Sequence, residues 1–400
     1  MKRILITGTG LGPGTITQEG WKALNEAEVW FGAKRVLELF HGAVQEEKIT
    51  FPFYAQDRII KEIEQSASQR FAVLVSGDAG FYSAAQELYR ALGQQRRYSV
   101  AIIPGISTVS AFFARLGLPW QDACLFSAHG RDITGLSAAV RRNRRVFCIT
   151  AGNTKEISAL LGDTGFSSVT VHVGENLGSE KERMFTTQVG ALGSLSLASL
   201  SVLVFENDDP DDRIRFGIAD EAFSRLEGIP MTKAAVRSAA LAKLELRPGD
   251  TCYDIGAGTG SVSVEMALAA HKGQVFAVEK NPDALPLIHE NRKKFKIANM
   301  SLIPGEAPAA LAPLPKVDAV FIGGSSGNIQ EIIQGVCAKN PETRMVITAI
   351  TIETVHRVLS CLPQAELLQL SAAGSKKAGA HHLLIGQNPV FIMTVKGRGE

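Results

Sequence analysis

Several features are scarce in this chain of 400 residues, and each absence excludes a class of protein. It has only five cysteines, scattered without a CxxC pair, which excludes a disulfide framework and a cysteine-based zinc site. No apolar run reaches the ~20 residues needed to span a bilayer. Gly8, Gly10 and Gly12 interrupt the apolar N-terminus before it could serve as a signal sequence. We therefore expect a cytoplasmic protein that has no metal site and no membrane partner.

A strong charge imbalance is also missing. Lysine and arginine number 42 against 40 acidic residues, so the formal net charge is only +2. No overall field favours nucleic acid, and we expect no nucleic-acid partner. The length favours two domains, each large enough to bury its own core.

Two series of strand-like segments alternate with amphipathic segments and predict an α/β fold for both halves. An acidic, proline-containing stretch at residues 206–212 separates the series. We therefore place one domain at residues 1–206, a linker at 207–215 and a second domain at 216–400. In the first half, helices are expected over residues 17–29 and 81–92. The predicted strands are residues 4–7, 71–75, 100–103, 146–150, 169–173 and 202–205, and then 251–255, 274–279, 300–303, 317–322, 345–349 and 390–395.

A glycine-rich segment follows the first predicted strand of each half. Residues 8–14 read GTGLGPG, and residues 254–260 read DIGAGTG. Glycine at the carboxyl end of a strand lets the backbone approach a ligand closely, because it has no Cβ and tolerates positive φ. Two such loops predict two ligand sites. Pro13 stands where the third glycine of a dinucleotide fingerprint would, which argues against a nicotinamide-dependent oxidoreductase.

In the second half, the order of features at the strand ends indicates an adenosine-containing ligand. The GxGxG turn of residues 256–260 is typical of nucleoside-dependent methyltransferases. Glu279 ends the next predicted strand, where a carboxylate can accept both ribose hydroxyls. Glu306 follows the third strand, at the place where such folds contact the adenine. No Asn/Asp-Pro-Pro-Tyr segment follows the fourth strand, which argues against methylation of a flipped base.

Residues 216–395 resemble the decarboxylating methyltransferases of the corrin pathway. The matching segments are residues 228–237, 254–260, 305–308, 322–326, 347–350 and 388–389. The resemblance implies a Rossmann-like class I fold that binds S-adenosylmethionine. The residues it implies for contact with this donor are Thr232, Gly256, Ala257, Gly258, Thr259, Gly260, Glu279 and Ala307, and we add the neighbouring Glu306.

Residues 1–205 resemble the tetrapyrrole methylases, which have an unrelated, two-lobed α/β fold. The resemblance is carried by five segments in order, at residues 8–14, 76–83, 104–108, 127–131 and 174–178. It implies a second S-adenosylmethionine site in the cleft between the lobes, held largely by backbone groups. The positions it implies are Pro13, Gly77, Asp78, Phe81, Ser107, Thr108 and Ala151. Ala79 departs from the family, which commonly has proline there.

The two resemblances, in this order, match the fused precorrin methyltransferases of cobalamin biosynthesis. They imply a bifunctional enzyme that methylates carbons 5 and 15 of precorrin-6B and removes the carboxyl group of the ring C acetate, giving precorrin-8. Reduced tetrapyrrole carbons are enamine-like nucleophiles, so the protein mainly orients the macrocycle and excludes water. We therefore assign no general base. Homo-oligomers are common among relatives of both domains, and we expect one here.

Three alternatives stay open at this point. Cobalt-bearing precursors cannot be told apart from metal-free ones by sequence, an RNA methyltransferase could share both folds, and one domain could have lost catalysis. The tetrapyrrole substrate carries many carboxylates, so some cationic side chains should contact it. The candidates are Arg131, Lys181, Arg183, Lys376 and Lys377.

Overall fold

The computed structural model describes residues 1–44, 47–53, 55–83, 85–130 and 132–396. The described strands form three larger sheets and one two-stranded sheet. All twelve strands expected from the sequence are present within these sheets, so the α/β class is confirmed.

The first sheet has five strands, all pairing in parallel. Its strands are β1 (Lys2–Gly8), β2 (Val29–Gly32), β3 (Ile49–Phe51), β4 (Arg70–Val75) and β5 (Tyr98–Ile103), and its helices are α1 (Gln18–Glu26), α2 (Lys34–His41), α3 (Gln56–Gln65) and α4 (Ala85–Gly93). The strand order is β3-β2-β4-β1-β5. The central strands β1 and β4 are almost wholly buried, as continuous aliphatic runs predict for parallel strands covered on both faces.

Both helices expected in this half are shorter than the sequence pattern suggests. The helix expected over residues 17–29 ends at Glu26, because Val29 already begins β2. The helix expected over residues 81–92 begins at Ala85. Tyr82 has a φ of 45°, which a right-handed helix does not allow, so the preceding segment is a loop.

The second sheet also has five strands, but it is mixed. Its strands are β6 (Cys124–Ser127), β7 (Arg145–Ile149), β8 (Thr170–Glu175), β9 (Arg183–Gln188) and β10 (Ser201–Glu206), and its helices are α5 (Thr108–Leu116), α6 (Gly135–Arg142), α7 (Thr154–Asp163) and α8 (Val189–Leu192). The order is β6-β7-β10-β8-β9, and of these pairs only β6 and β7 are parallel. Helix α5 connects the two sheets, so the first half contains two layered units.

The third sheet has seven strands. Its parallel strands are β11 (Thr251–Ile255), β12 (Gln274–Glu279), β13 (Met300–Pro304), β14 (Ala319–Ile322) and β15 (Arg344–Ala349), and its antiparallel edge is formed by β16 (Glu366–Leu370) and a later strand, Val390–Val395. The helices are α9 (Ala234–Leu244), α10 (Ser261–Ala269), α11 (Ala284–Lys294), α12 (Ile329–Lys339) and α13 (Ile352–Cys361). A switch in strand order lies between β11 and β14, where open α/β sheets bind ligands.

A two-stranded antiparallel sheet precedes the last strand. It consists of β17 (Ala373–Ala378) and β18 (His381–Gly386), and the Val390–Val395 strand is therefore β19. Every residue of β17 and β18 is exposed. No helix among the described residues is long and apolar enough to cross a membrane.

A buried ion pair connects α9 to α10. Arg237 and Glu265 are both fully buried, and the Arg237 Nε donates to Glu265 at 2.6 Å. The remaining guanidinium N–H groups donate to the Thr232 and Ile218 carbonyl oxygens. Glu265 in turn accepts from the Gly217 N–H at 2.8 Å and from the Ile218 N–H at 2.9 Å. The pair thereby fixes the backbone at residues 217–218, near the start of this half, and at Thr232, just before α9.

Replacing Arg237 with alanine should be strongly destabilising. The substitution leaves the Glu265 carboxylate buried without its cation, and we expect the free energy of unfolding of this half to fall by about 3–5 kcal/mol. Hydrogen exchange of peptides from α9 and α10 measures the change. The control is Lys243→Ala, which removes an exposed ion pair to Glu366 and should cost less than about 1 kcal/mol. Equal effects of the two substitutions would contradict the structural role of Arg237.

Candidate functional site

Three loops at the carboxyl ends of the first sheet's strands meet through glycine backbone. Gly8 ends β1, Gly77 follows β4 and Gly105 follows β5. A Cβ on Gly105 would lie 2.4 Å from the Gly77 oxygen and 2.7 Å from the Gly8 carbonyl carbon, closer than a side chain allows. The Gly77 N–H also donates to the Gly10 oxygen at 2.8 Å. Backbone contact therefore holds these loops together.

Two polar side chains fix the same loops. Asp78 Oδ2 accepts from the Gly105 N–H at 3.0 Å, and its Oδ1 accepts from the Gly80 N–H at 2.8 Å. Ser107 caps α5, since its Oγ accepts from the Ser110 N–H at 3.1 Å. Both side chains are thus used to hold backbone that borders a cavity.

This cavity, of about 820 Å³, is lined by residues of the first and second sheets. All five segments that carry the tetrapyrrole methylase resemblance contribute to its lining. One residue from each segment, in chain order, is Pro13, Tyr82, Thr108, His129 and Asn176. Segments separated by up to about 160 residues therefore converge on one site, as the resemblance implies.

The cavity lining includes two of the seven positions expected in this half, Pro13 and Thr108. The other five stand within two residues of lining residues, and their contact with a ligand stays a prediction. They are Gly77, Asp78, Phe81, Ser107 and Ala151. Sequence reasoning missed Arg35, Leu39 and Leu200, which line the cavity but belong to no motif. Asn176 could have been selected, since it lies in the segment at residues 174–178.

A second cavity, of about 270 Å³, lies at the carboxyl ends of β11, β12 and β13. Five of the nine positions expected in this half line it. They are Gly256, Gly258, Glu279, Glu306 and Ala307. The remaining loop residues Ala257, Thr259 and Gly260 are buried behind the glycines, and their contact with a ligand stays a prediction.

The glycine loop of this cavity also packs backbone against backbone. Gly256 has a φ of 76°, and a Cβ there would lie 2.7 Å from the Gly324 nitrogen. A Cβ on Gly258 would lie 2.4 Å from the Pro230 oxygen. The Glu279 carboxylate accepts from the Gly258 N–H and from the Asn281 N–H, both at 2.8 Å. The loop, the segment before α9 and the end of β12 are therefore held as one unit.

A third cavity, of about 550 Å³, adjoins the second. Pro230, Gly323, Gly324 and Ser325 line both cavities, so the two cavities meet at these residues. Thr232, the ninth position expected in this half, lines the third cavity rather than the second. Among its described lining residues there is no Asp or Glu, and Lys233 is the charged one. Gly323 and Gly324 contribute no side chain to the lining shared by the two cavities.

Asp254, at the start of the glycine loop, is a buried carboxyl with an unusual environment. It is fully buried, and its Oδ1 has no hydrogen-bond partner among the described residues. Burial raises the pKa of Asp254 to about 7, a hydrogen bond donated by the Ser263 hydroxyl opposes the rise, and the nearby Glu279 charge adds to it. Near neutral pH, this carboxyl therefore exists partly in its neutral form.

The candidate cations lie in different places. Lys181 lines the 820 Å³ cavity, while Arg183 pairs with Glu175. Lys376 and Lys377 are exposed on β17, and Arg131 lies outside the described residues. Within the described part of the chain, no group of three or more His, Cys, Asp or Glu side chains could hold a metal ion.

Comparison with known proteins assigns both halves. The family model for tetrapyrrole (corrin/porphyrin) methylases matches residues 3–193, and that for the precorrin methyltransferase domain matches residues 222–396. A precorrin-6Y C(5,15)-methyltransferase (decarboxylating) from Sinorhizobium sp is 31% identical over 339 residues, which are 83% of this chain and 81% of that protein.

Other relatives match the second half alone. The cobalt-precorrin-6B C(15)-methyltransferase (decarboxylating) of Salmonella typhimurium is 43% identical over 180 residues, covering 44% of this chain and 93% of that protein. A crystal structure of precorrin-6Y C5,15-methyltransferase from Geobacter metallireducens is 36% identical over 45% of this chain and 97% of that one, with a TM-score of 0.43.

These matches define an S-adenosylmethionine-dependent methyltransferase, built from a tetrapyrrole methylase fold followed by a class I methyltransferase fold. The similarity to the Sinorhizobium enzyme extends through both halves. The chain belongs to the precorrin-6Y C5,15-methyltransferase (decarboxylating) family of cobalamin biosynthesis.

Replacing Gly105 with alanine should disrupt the first glycine cluster. The new Cβ meets the backbone of Gly77 and Gly8, which cannot move without shifting two strand ends, and we expect a destabilisation of about 1–3 kcal/mol. Tryptophan fluorescence during urea unfolding reports on this half, since Trp21, Trp30 and Trp120 all lie there.

The control for this substitution is Gly14→Ala. Gly14 belongs to the first glycine loop, but nothing lies within 4 Å of a Cβ built there. Its substitution should leave the unfolding midpoint nearly unchanged. Equal stability of the two variants would show that the close backbone contact at Gly105 is unimportant.

The raised pKa of Asp254 makes stability depend on pH in a defined direction. The folded protein keeps the carboxyl proton that the unfolded chain loses near pH 4, so this residue's contribution to stability decreases as pH rises towards about 7. In Asp254→Asn, this loss, at most on the order of 1 kcal/mol per pH unit, should disappear. Urea unfolding between pH 4 and 8 measures the slope, with the exposed Asp283→Asn as control. An unchanged slope in Asp254→Asn would contradict the assignment.

Proposed function

We propose that the chain carries two donor sites, one in each of two domains at residues 1–206 and 216–400, joined by the linker at 207–215. The first domain methylates carbon 5 of precorrin-6B. The second methylates carbon 15 and decarboxylates the ring C acetate at carbon 12, so that precorrin-8 is released. The observation that carries this proposal is the pair of adjoining cavities at β11–β15, one carrying carboxylates and the other free of them among the described lining residues.

The smaller cavity of this pair fits S-adenosylmethionine. Gly256 and Gly258 line it, and the Glu279 carboxylate at the end of β12 can accept ribose hydroxyls. Glu306 also lines this cavity, where it pairs with Lys280 at 3.0 Å, so Glu279 is the carboxylate left for the donor. When bound, the donor supplies an electrophilic methyl group on a sulfonium.

The larger cavity fits the tetrapyrrole. It adjoins the donor cavity at Gly323, Gly324 and Ser325, so a macrocycle bound there would be next to a donor bound in the smaller cavity. Lys233 supplies a positive charge for a substrate carboxylate, and Gln387 and Asn388 supply uncharged donors. The described lining has no carboxylate, histidine, cysteine or tyrosine to act as a general base.

This chemistry is compatible with a site that mainly orients its substrate. The enamine-like carbon 15 attacks the methyl group with electrons from a pyrrole nitrogen. The acetate then loses carbon dioxide, and the released electron pair enters the conjugated macrocycle, where a protonated imine-like nitrogen accepts it. The protein contributes alignment of the reacting carbon and exclusion of water.

The donor site of the first domain is the 820 Å³ cavity. Pro13 and Thr108 line it, and Asp78 and Ser107 hold the loops on which they lie. The seven positions named from the sequence are therefore proposed as the donor-binding set of this domain.

A second candidate substrate is the cobalt-bearing form of the same intermediate. The Salmonella relative, 43% identical over the second half, is named as acting on cobalt-precorrin-6B. Both forms have the same peripheral carboxylates, so the cavities described above suit either.

We also propose that the protein acts in the cytoplasm as a homo-oligomer, without nucleic-acid or membrane partners. Support comes from the exposed β17–β18 sheet, where Leu383, Leu384 and Ile385 form an apolar stretch open to solvent. Sedimentation of the wild type and of Leu384→Glu measures the oligomeric state. A monomeric wild type would contradict this part of the proposal.

The test of the proposed function counts methyl groups. Purified protein is incubated with S-adenosylmethionine and precorrin-6B, and the molecular mass of the tetrapyrrole is measured by mass spectrometry. We expect a gain of two methyl groups and loss of one carbon dioxide. Parallel incubation with the cobalt-bearing substrate decides between the two candidates, and an unchanged mass with both substrates would refute the proposal.

Two substitutions separate the domains, and each is the control for the other. Glu279→Gln should remove carbon 15 methylation and decarboxylation, because it weakens both the loop and the ribose contact, and it should keep methylation at carbon 5. Asp78→Asn should do the reverse, since the Gly105 amide loses its charged acceptor. We expect each affected rate to fall at least about tenfold. Loss of both methylations in either variant would contradict two independent sites.

A further inference from the structure

The 820 Å³ cavity of the first half has an apolar wall that is open to solvent. Leu39, Tyr82 and Leu200 line it with 44%, 46% and 45% of their surface exposed. Large apolar side chains left open within one cavity mark a surface that a ligand covers. Their arrangement suits the flat apolar face of a large conjugated ring.

The charges of the same cavity are of one sign. Arg35 and Lys181 line it, His129 lines it as well, and no Asp or Glu does so among the described residues. Within the described part of the chain, neither Arg35 nor Lys181 forms an ion pair. No acidic side chain among the described residues therefore competes with an anion for Arg35 or Lys181.

The two cations come from opposite layers. Arg35 lies on α2, directly after β2 of the first sheet, whereas Lys181 lies in the connection between β8 and β9 of the second sheet. A ligand that contacts both would be held at two points across the cavity. Two-point attachment of a flat ring fixes its rotation within its own plane.

We propose that Arg35 and Lys181 bind two peripheral carboxylates of the macrocycle and thereby determine which carbon faces the methyl donor in the first domain. The inference deepens the proposed function, because it assigns two specificity-determining residues to the same site. Arginine offers a planar, bidentate fork for one carboxylate, and lysine offers a point charge for the other. Both contacts are partly exposed to water, so their strength should fall with added salt.

The binding test uses a porphyrin with eight free carboxylates and its uncharged amide analogue. Fluorescence titration measures both affinities for the wild type, Arg35→Ala, Lys181→Ala and the double variant. The wild type should prefer the carboxylate ligand, each single substitution should weaken its binding about three- to tenfold, and the double variant should lose the preference. Binding of the amide analogue should stay the same in all four proteins.

The matched control is Lys34→Ala. Lys34 precedes Arg35 on the same helix, pairs with Glu38 at 3.8 Å and does not line the cavity. Its substitution should leave both affinities unchanged. Wild-type affinity for the carboxylate ligand in both single variants, or a wild type that binds both ligands equally, would overturn the inference.

Turnover and donor binding complete the test. With precorrin-6B, the Arg35 and Lys181 variants should show a higher KM and more methylation at carbons other than 5, while calorimetry should show an unchanged Kd for S-adenosylhomocysteine. A raised donor Kd with unchanged KM would instead assign the two cations to the donor carboxylate and overturn the inference. A wild type that binds the porphyrin but never methylates precorrin-6B would refute the proposed function. The contribution of Arg35 and Lys181 to carboxylate binding could still be measured.

Discussion

Both candidate sites depend on direct contact between backbone segments at the carboxyl ends of adjacent parallel strands. In the first half, Gly105 lies so close to Gly77 and Gly8 that no side chain fits between the loops. In the second half, Gly256 and Gly258 make comparable contacts with Gly324 and Pro230. Two unrelated folds thus meet the same requirement in the same way. Removing Cβ lets neighbouring strand ends approach one another, and the exposed backbone then forms the floor of a ligand cavity.

The charged residues that line the three cavities differ, and so do the ligands that each cavity suits. The smaller cavity of the second half contains Glu279, which suits a donor with ribose hydroxyls, and the ion pair of Glu306 with Lys280. The adjoining cavity and the large cavity of the first half have cationic residues and no carboxylate among their described lining residues, which favours a polyanionic ring. The buried pair Arg237–Glu265 also supports this region, since Arg237 donates to the Thr232 carbonyl oxygen and Thr232 lines the 550 Å³ cavity. Stability and site geometry therefore depend on some of the same residues.

The sequence predicted the parts of the fold that carry continuous or alternating apolar patterns. All twelve expected strands are present, because a short run of β-branched and other apolar residues is typical of a strand buried on both faces of an α/β sheet. The missed strands β2, β3 and β6 have only three or four residues each, β9 is partly exposed and β16 to β18 are largely exposed, so none of them gives a long apolar pattern. The glycine loops were found because glycines at this spacing after a strand are typical of loops whose backbone packs closely against a neighbour. Arg35 and Leu39, one turn apart on α2, and Leu200 were not found, since only the packing of the two sheets brings the α2 pair and Leu200 to one cavity.

The proposed function requires that one chain holds two independent donor sites. It is tested most directly by counting how many molecules of S-adenosylhomocysteine, the demethylated donor, bind to each chain of the wild-type protein. Isothermal titration with a calibrated protein concentration gives this number without requiring the unstable tetrapyrrole. We expect two molecules per chain, with one affinity for each fold. A single molecule per chain at saturating concentration would contradict it.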